Sequence, residues 1–226
     1  MADSSTLGGP PARPRFPAPL PHLTAGRQGF TCVNMSETQE RILTAARDLF
    51  LAGGAEAVTM RSVAERVGVT ATALYRHFEG KEALLRAVLR AGFEDFGSYL
   101  YRSLAGTSPE ERLRQSGLAY LDFALQQPQV YRTIFVAPQP AAACAAPDVS
   151  DPHKAATFRF LIDRVRECME SGCLRRDEPE AVALAIWAHV HGLVSLHLSG
   201  ALAMPEADFR EAYAQSLGRL FAGLAP

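Results

Sequence analysis

Hydroxyl and cationic side chains are concentrated between Thr59 and Lys81, where they are suited to contact a polyanion. Arginine and lysine neutralise phosphate charge, and hydroxyl groups donate hydrogen bonds to phosphate oxygens or base edges. From Met60 to Lys81 the segment holds two more cations than carboxylates, with His77 in addition. The whole chain of 226 residues has a formal net charge of -1, which argues mildly against a nucleic-acid binder. The local placement of the cations permits DNA binding without proving it.

Motifs of catalytic sites are missing from the sequence. It contains no glycine-rich phosphate loop, no Gly-x-Ser-x-Gly elbow and no His-Glu-x-x-His pair. Its serines and histidines lie too far apart along the chain to indicate a catalytic triad. We therefore predict that the chain is not an enzyme and carries no cofactor.

Histidine and cysteine pairs are the candidates for a metal or redox site. His189 and His191 are two residues apart, so a helix points them to different faces. Cys168 and Cys173 are five apart near a predicted helix end and would need ligands from another helix. We predict no metal site and leave a redox role of this cysteine pair open. The four cysteines, too scattered for a disulfide framework, are Cys32, Cys144, Cys168 and Cys173.

Three short helices are predicted to position the polar segment. A capping box over Ser36–Gln39 begins the first helix, which Gly53-Gly54 ends. Thr59 can cap a second helix that ends at Gly68. Thr70 can cap a third, with Leu74 and Phe78 facing inward and Ala71, Thr72, Tyr75 and Arg76 facing outward. Two short helices joined by a glycine-containing turn, with polar groups at the start of the second, indicate a helix-turn-helix.

The rest of the chain has helical periodicity, so the predicted fold class is all-α. A long fourth helix begins near Lys81 and is followed by helices at residues 109–127, 128–136, 153–172, 179–199 and 205–224, with a loop over Pro138–Pro152. The apolar stretch Ala181–Leu198 is interrupted by histidines, and we interpret it as a buried helix and not a membrane span. The predicted domains are a helix-turn-helix domain at residues 35–82 and a helical ligand-binding and dimerisation domain at residues 83–226.

Residues 1–34 are rich in proline and glycine and are predicted to form a disordered tail. Arginines in this tail could contact phosphates, although a solvated tail or a true start at Met35 is the simpler interpretation. The segment lacks the apolar stretch of a secretion signal, so we expect a cytoplasmic protein without a membrane partner.

The segment Gly68–Leu85 resembles the signature of the tetracycline-repressor (TetR) family, with its Gly-Val turn, its Ala-Leu-Tyr-x-His-Phe block, and a lysine followed by a leucine pair. Ile42–Phe50 and Thr59–Ala64 resemble the first two helices of the same family. The resemblance covers Glu40 to Leu85 and implies a DNA-binding head joined by a long fourth helix to a helical ligand-binding domain.

The resemblance also implies roles for individual side chains. Contacts with backbone phosphate are expected from the start of the second helix, from the end of the third helix and from Lys81; Arg61 could also reach a base. His77 has an alternative role as a hydrogen-bonded histidine at the edge of the core. The expected DNA-binding residues are Thr59, Arg61, Thr70, Ala71, Thr72, Tyr75, Arg76, His77 and Lys81.

The segment Ala185–Leu196 resembles the WHG-type C-terminal domain of one branch of the family, through Trp187, His191 and Gly192. Trp187 and His191 are four apart and share a helix face, so they either pack in the core or line a pocket with a polar group turned to a ligand. Aromatic residues on other helices could line the same pocket or form plain core. The expected pocket residues are Tyr120, Phe123, Tyr131, Phe135, Phe158, Trp187 and His191.

The resemblance implies a homodimer that binds operator DNA, with the last two helices forming the dimer interface. A small, largely apolar effector would release the DNA, which is the mode of a ligand-responsive repressor, although activation stays open. The alternatives are a helical enzyme and a ligand carrier that no longer binds DNA. The intact polar segment from Arg61 to Lys81 favours the regulator.

Overall fold

The computed structural model describes residues 37–137 and 152–226, and within these residues the chain is helical with no strand. The predicted tail, Ser36 of the predicted capping box and residues 138–151 of the predicted loop lie outside the described residues. Pro152, the last residue of that predicted loop, is the first residue of α7. The helices are α1 (Glu37–Ala57), α2 (Met60–Val67), α3 (Ala71–Tyr75), α4 (Lys81–Arg102), α5 (Pro109–Gln126), α6 (Pro128–Tyr131), α7 (Pro152–Glu170), α8 (Pro179–Leu198) and α9 (Glu206–Leu224). A 3₁₀ turn follows α4 at Ser103–Ala105, and a π-helical turn follows α6 at Arg132–Val136.

Glycines and capping side chains set the ends of α1 and α2. α1 breaks at Gly53 and Gly54, where Gly54 has a φ of 69°, and one further turn continues to Ala57. Thr59 begins α2 with a reciprocal capping box: the Ser62 amide donates to Thr59 Oγ1 at 3.0 Å, and the Thr59 amide donates to Ser62 Oγ at 2.9 Å. Gly68 ends α2 in the left-handed region with a φ of 78°.

The first three helices share one apolar core with the start of α4. Ile42 of α1, Val63 of α2 and Leu74 of α3 are fully buried in it. The Arg41 guanidinium of α1 donates to the backbone oxygen of Val67 at 2.8 Å, which ties α1 to the last turn of α2. We call α1–α3 with the first turns of α4 the head.

Helix α4 has 22 residues, about 33 Å at 1.5 Å per residue, and its two ends belong to different cores. Leu84 and Leu85 pack in the head, whereas Phe93 and Phe96 pack with α5 and the residues after α6. Because this helix is part of both cores, a change in its position alters the packing in both halves of the chain.

The helices after α4 form two connected apolar clusters. The first brings α4, α5, α6, the π-helical turn, α8 and α9 together; in it the buried Tyr213 hydroxyl of α9 donates to the backbone oxygen of Gly117 in α5 at 2.7 Å. The second gathers α5, α7 and α8 around Val165 and Ile186. We call the part of the chain from α5 to α9 the C-terminal half.

Helix α8 is less buried than the sequence predicts. Within the protomer only one face is buried, at Val182, Ala183, Ile186, Val190 and Val194. Leu184 is 53% exposed and Leu196 is 46% exposed. Among the described helices it alone is long and apolar enough to cross a membrane, a match of length and composition with a mean hydropathy of 1.5. Within the protomer the helix is thus buried on one face, and its outer face is also apolar.

Candidate functional site

The start of α3 is capped and exposed. The Thr70 hydroxyl accepts a hydrogen bond from the Ala73 amide at 3.1 Å, and this cap sets where the helix begins. Leu74 is fully buried, which turns Thr72, Tyr75 and Arg76 outward; all three are exposed, Tyr75 to 56%. A hydroxyl, an aromatic ring and a cation thus form one outward face on a helix whose Leu74 packs in the core.

The start of α2 adds a second polar surface. Thr59 is exposed, and its hydroxyl serves the capping box by accepting from Ser62. The Arg61 side chain is 87% exposed, and its Nε donates to Glu65 Oε1 at 2.8 Å, a bond that raises the pKa of Arg61. This pairing through Nε leaves the terminal guanidinium nitrogens of Arg61 facing solvent.

The remaining residues of the predicted DNA set lie at the edge of this surface. Ala71 and His77 are half-buried. Lys81, the first residue of α4, lies with its Nζ 3.4 Å from Glu56 Oε1 at the end of α1. Neither carboxylate partner was predicted from the sequence. The i, i+4 spacing of Arg61 and Glu65 is typical of a helical ion pair, whereas Glu56 and Lys81 are too far apart in the chain for their pairing to be predicted.

A cavity of about 840 Å³ lies between α4, α5, α7, α8 and the π-helical turn. Of the predicted pocket residues, Tyr120, Phe135, Phe158, Trp187 and His191 line it. Phe123 and Tyr131 do not line it. They are fully buried one layer behind its wall, where the Phe123 ring packs on Phe96 with ring centroids 5.0 Å apart. Other wall residues were not predicted from the sequence: Phe93 and Phe96 of α4, and Arg159, Asp163 and Arg166 of α7.

One end of the cavity wall is polar. His191 Nδ1 lies 2.9 Å from the Tyr120 hydroxyl and 2.9 Å from the Tyr131 hydroxyl. Burial lowers the pKa of His191, and it raises the pKa of Tyr120 well above the usual value. At neutral pH the imidazole and both phenols are therefore uncharged. The sequence left open whether His191 packs in the core or lines a pocket. It does both, because it is hydrogen-bonded to buried tyrosines and also lines the cavity.

Charged side chains of α7 and α8 lie on the cavity wall and pair with one another. Arg166 Nη1 is 2.9 Å from Asp163 Oδ1, and Arg166 Nη2 is 3.6 Å from Glu180 Oε1. Arg159 is exposed on the same wall. The two arginines and the two carboxylates of the described lining cancel in formal charge.

The histidine and cysteine pairs do not converge with further ligands. His189 faces α9, where its Nε2 lies 3.1 Å from Ser216 Oγ, on the face opposite to the tyrosine partners of His191. Burial raises the pKa of the Cys168 thiol, and Cys173 Sγ donates to the Cys168 backbone oxygen at 3.3 Å. Across residues 37–137 and 152–226, no three histidine, cysteine or acidic side chains are grouped so as to hold a metal ion.

Two sequence profiles of one family match separate parts of the chain. The profile described as bacterial regulatory proteins, tetR family, matches residues 42–88, and the profile described as tetracyclin repressor-like, C-terminal domain, matches residues 113–220. Together they cover more than half of the chain, and the first falls on the head and the second on the C-terminal half.

Characterised proteins and solved structures agree with this match. The transcriptional activator FasR of Mycolicibacterium smegmatis is 35% identical over 100 residues, 44% of this chain and 46% of FasR. The transcriptional repressor KstR of Mycobacterium tuberculosis is 35% identical over 113 residues, 50% of each chain. The matched region thus spans about half the length of these relatives.

The crystal structure of the TetR family regulator PfmR from Thermus thermophilus has the same fold. Its TM-score is 0.63 at 19% identity, covering 82% of this chain and 100% of PfmR. The predicted all-α class with an N-terminal helix-turn-helix is confirmed. The prediction that the protein is a transcriptional regulator and not an enzyme is confirmed as well. The branch that the Trp187, His191 and Gly192 pattern suggests stays a prediction. The chain belongs to the tetracycline-repressor family of DNA-binding transcriptional regulators.

Proposed function

We propose that this protein binds operator DNA as a homodimer and releases it when a small, largely apolar effector enters the cavity. The observation that carries the proposal is the architecture of α4, which begins beside the exposed face of α3 and ends in the cavity wall. The relatives include an activator and a repressor, and release of DNA by the effector is the repressor mode.

In this proposal the exposed face of α3 enters the major groove. Thr70, Ala71 and Thr72, at the start of the helix, meet base edges. The end of the helix and the start of α4 contact phosphates through Tyr75, Arg76, His77 and Lys81, while Thr59 and Arg61 approach the backbone from the start of α2. Lys81 would exchange its exposed partner Glu56 for a phosphate, which costs little because exposed ion pairs contribute little to stability.

The outer faces of α8 and α9 are suited to pair with a second copy. Small residues recur at helical spacing on the exposed side of each helix: Ala181, Ala185, Ala188 and Gly192 on α8, and Ala207, Ala214, Gly218 and Ala222 on α9. Such stripes let helices approach closely, and Leu184 and Leu196 flank them with exposed apolar surface. A dimer through these helices would cover α8 without a membrane, in keeping with a cytoplasmic protein.

Two paths connect the cavity to the head. Helix α4 is the first. The second is the π-helical turn after α6, whose Ile134 and Phe135 line the cavity while the adjoining Ala137 packs against the head core. A ligand that favours one arrangement of these elements changes the spacing of the two heads, which must match successive major grooves about 34–36 Å apart. Such a shift requires different affinities for the two arrangements.

Binding of the purified protein to its own upstream DNA across a salt series tests the proposal. Arg76→Ala and Lys81→Ala should weaken binding similarly on all sequences and flatten the salt dependence, because each removes one phosphate contact. Thr72→Ala should change which sequence is preferred. Arg176→Ala is the matched control, since Arg176 is exposed in the loop between α7 and α8.

No binding to any upstream fragment at low salt would reject the regulator and favour a ligand carrier. Equal losses for Arg76→Ala and Arg176→Ala would reject the assignment of the α3 face. Unchanged DNA binding with an unchanged salt dependence in both Arg76→Ala and Lys81→Ala would also reject the assignment of the α3 face.

A further inference from the structure

The described charged residues of the cavity wall are two arginines and two carboxylates. They are Arg159, Asp163, Arg166 and Glu180, and their formal charges cancel. Arg166 pairs with both carboxylates, at 2.9 Å and 3.6 Å. A bound ion would thus lose its hydration without gaining an excess of opposite charge, and burial of an uncompensated charge is costly. The wall therefore favours a ligand without net charge.

The polar end of the wall presents hydrogen-bond donors. His191 Nδ1 lies 2.9 Å from both hydroxyl oxygens, but its one lone pair accepts from one of them, and the Tyr131 hydroxyl has Ser195 Oγ at 3.2 Å as another partner. The Tyr120 hydroxyl has two acceptors within reach, His191 Nδ1 at 2.9 Å and the Tyr131 oxygen at 3.5 Å, and the shorter contact makes Nδ1 its acceptor. With Nδ1 accepting, a neutral imidazole carries its proton on Nε2.

The Nε2 proton of His191 lacks a strong partner within the described residues. Ser195 Oγ is 3.5 Å from Nε2, at the limit of a hydrogen bond, and it lies closer to the Tyr131 hydroxyl at 3.2 Å. A donor in an apolar cavity gains by meeting an acceptor. Trp187, Phe135 and Phe158 surround this part of the wall with aromatic rings.

We propose that the effector is a neutral, ring-bearing molecule with a carbonyl or ether oxygen that accepts a hydrogen bond from His191 Nε2. Its apolar body packs on Trp187 and Phe135. The cavity of about 840 Å³ suits a drug-sized molecule. This inference rests on the proposed function, since it names the chemistry of the ligand that releases DNA, and it excludes free carboxylates and amines as preferred ligands.

Four biphenyl probes of nearly equal shape test the inference on the full-length protein. They are 4-acetylbiphenyl with a carbonyl, 4-ethylbiphenyl without an acceptor, biphenyl-4-carboxylate as an anion and biphenyl-4-ylmethylammonium as a cation. The dissociation constants are measured by titration calorimetry at neutral pH. We expect the ketone to bind about three- to tenfold more tightly than the ethyl compound, the range of one neutral hydrogen bond. Both ions should bind at least about tenfold more weakly than the ketone.

Two variants assign the acceptor contact. His191→Phe keeps a ring but removes the donor, and the preference for ketone over ethyl should disappear in it. His189→Phe makes the same substitution on the α9-facing side of α8 and should retain the preference. The comparison of ketone and ethyl in the unaltered protein decides the point even where His191→Phe fails to fold.

Tighter binding of either ion than of the ketone would overturn the inference, as would equal binding of ketone and ethyl compound. A ketone preference that persists in folded His191→Phe would show that His191 is not the hydrogen-bond donor to the ligand. Binding to upstream DNA without probe is measured on the same samples. DNA binding that persists while the probes fail separates failure of this inference from failure of the DNA-binding proposal.

Discussion

The head and the C-terminal half are built by different kinds of contact. The buried residues of the head core lie between Ile42 and Val88, on helices joined by short turns with capping groups only three residues apart. The wall of the cavity draws on residues from Phe93 to His191, on four helices and one turn. The surface that we propose to read DNA is therefore specified locally, whereas the shape of the cavity depends on how distant helices pack.

This difference has a consequence for mutation. Polar residues on the α3 face can change without disturbing the packing beneath them, because only Leu74 of that helix is buried. The buried aromatic residues of the cavity wall are also core residues, so we expect their substitution to alter stability and ligand preference together. Each of the following variants is chosen to separate the two regions or to show that they are coupled.

Disruption of the proposed dimer should have the largest effect. A side chain at Gly218 meets no atom within 4 Å in the protomer, so Gly218→Leu should fold but clash with a second copy. Loss of the second head removes avidity, and operator binding should weaken at least about 100-fold. Sedimentation and binding titrations measure both effects.

Gly97→Leu is the control for that variant, since a side chain at Gly97 of α4 also meets open space. It should stay dimeric. A dimer that persists in Gly218→Leu would show that the outer face of α9 is not the interface.

Disruption of the contact between α4 and the π-helical turn should have the next largest effect. A Cβ at Gly92 would lie 2.5 Å from Ile134 Cγ2, so Gly92→Ala forces two packed elements apart and should cost about 1–3 kcal/mol of unfolding free energy. Urea unfolding measures it. Gly97→Ala, without such a neighbour, should raise stability by about 0.5–1 kcal/mol, the helix preference for alanine over glycine. Equal results for the two would mean that α4 does not pack tightly on this turn.

Two helix caps allow a matched comparison of the two regions. Thr70 caps α3 and Ser108 caps α5, each accepting from an amide three residues on at 3.1 Å. Either change to alanine should cost about 1 kcal/mol of stability. Only Thr70→Ala should weaken operator binding, as measured by titration of labelled DNA. A comparable loss of operator binding in Ser108→Ala would indicate that the two halves do not act separately.

The smallest expected effect is a pH dependence of stability from His191. Its pKa is lowered in the folded protein by burial, so the unfolded chain binds more protons as the pH falls below the ordinary value of 6.5. Stability is therefore complete above that value and decreases as the pH falls towards the folded pKa. Thermal unfolding at pH 7.5 and 5.5 should show a smaller decrease in His191→Phe. An equal decrease in both proteins would assign the pH dependence to other groups.

Most of the head could be predicted from the sequence because its signals are short-range. Gly68 and the caps at Thr59 and Thr70 stand where helices begin or end, and Gly53 and Gly54 break α1 one turn before its end. The inward Leu74 follows from helical periodicity. The roles of the outward residues in DNA binding stay predictions, as does the domain boundary at residue 82, which falls inside α4.

The C-terminal half was predicted less completely. The type and order of its helices followed from periodicity, and aromatic residues marked the region of the cavity. Periodicity does not say which aromatic ring faces a cavity and which one lies behind it, and Phe123 and Tyr131 lie behind it. Nor does it distinguish an apolar helix buried in its own chain from one such as α8, whose outer face is exposed.

The sequence by itself determined the family, the helical class and the polar face of α3, because caps, glycine turns and helical periodicity act between residues a few positions apart. Only the tertiary structure decided that His191 meets Tyr120 and Tyr131, and that Arg166 pairs across to Glu180. These contacts join residues on different helices, and their geometry follows from the packing of whole helices around the cavity.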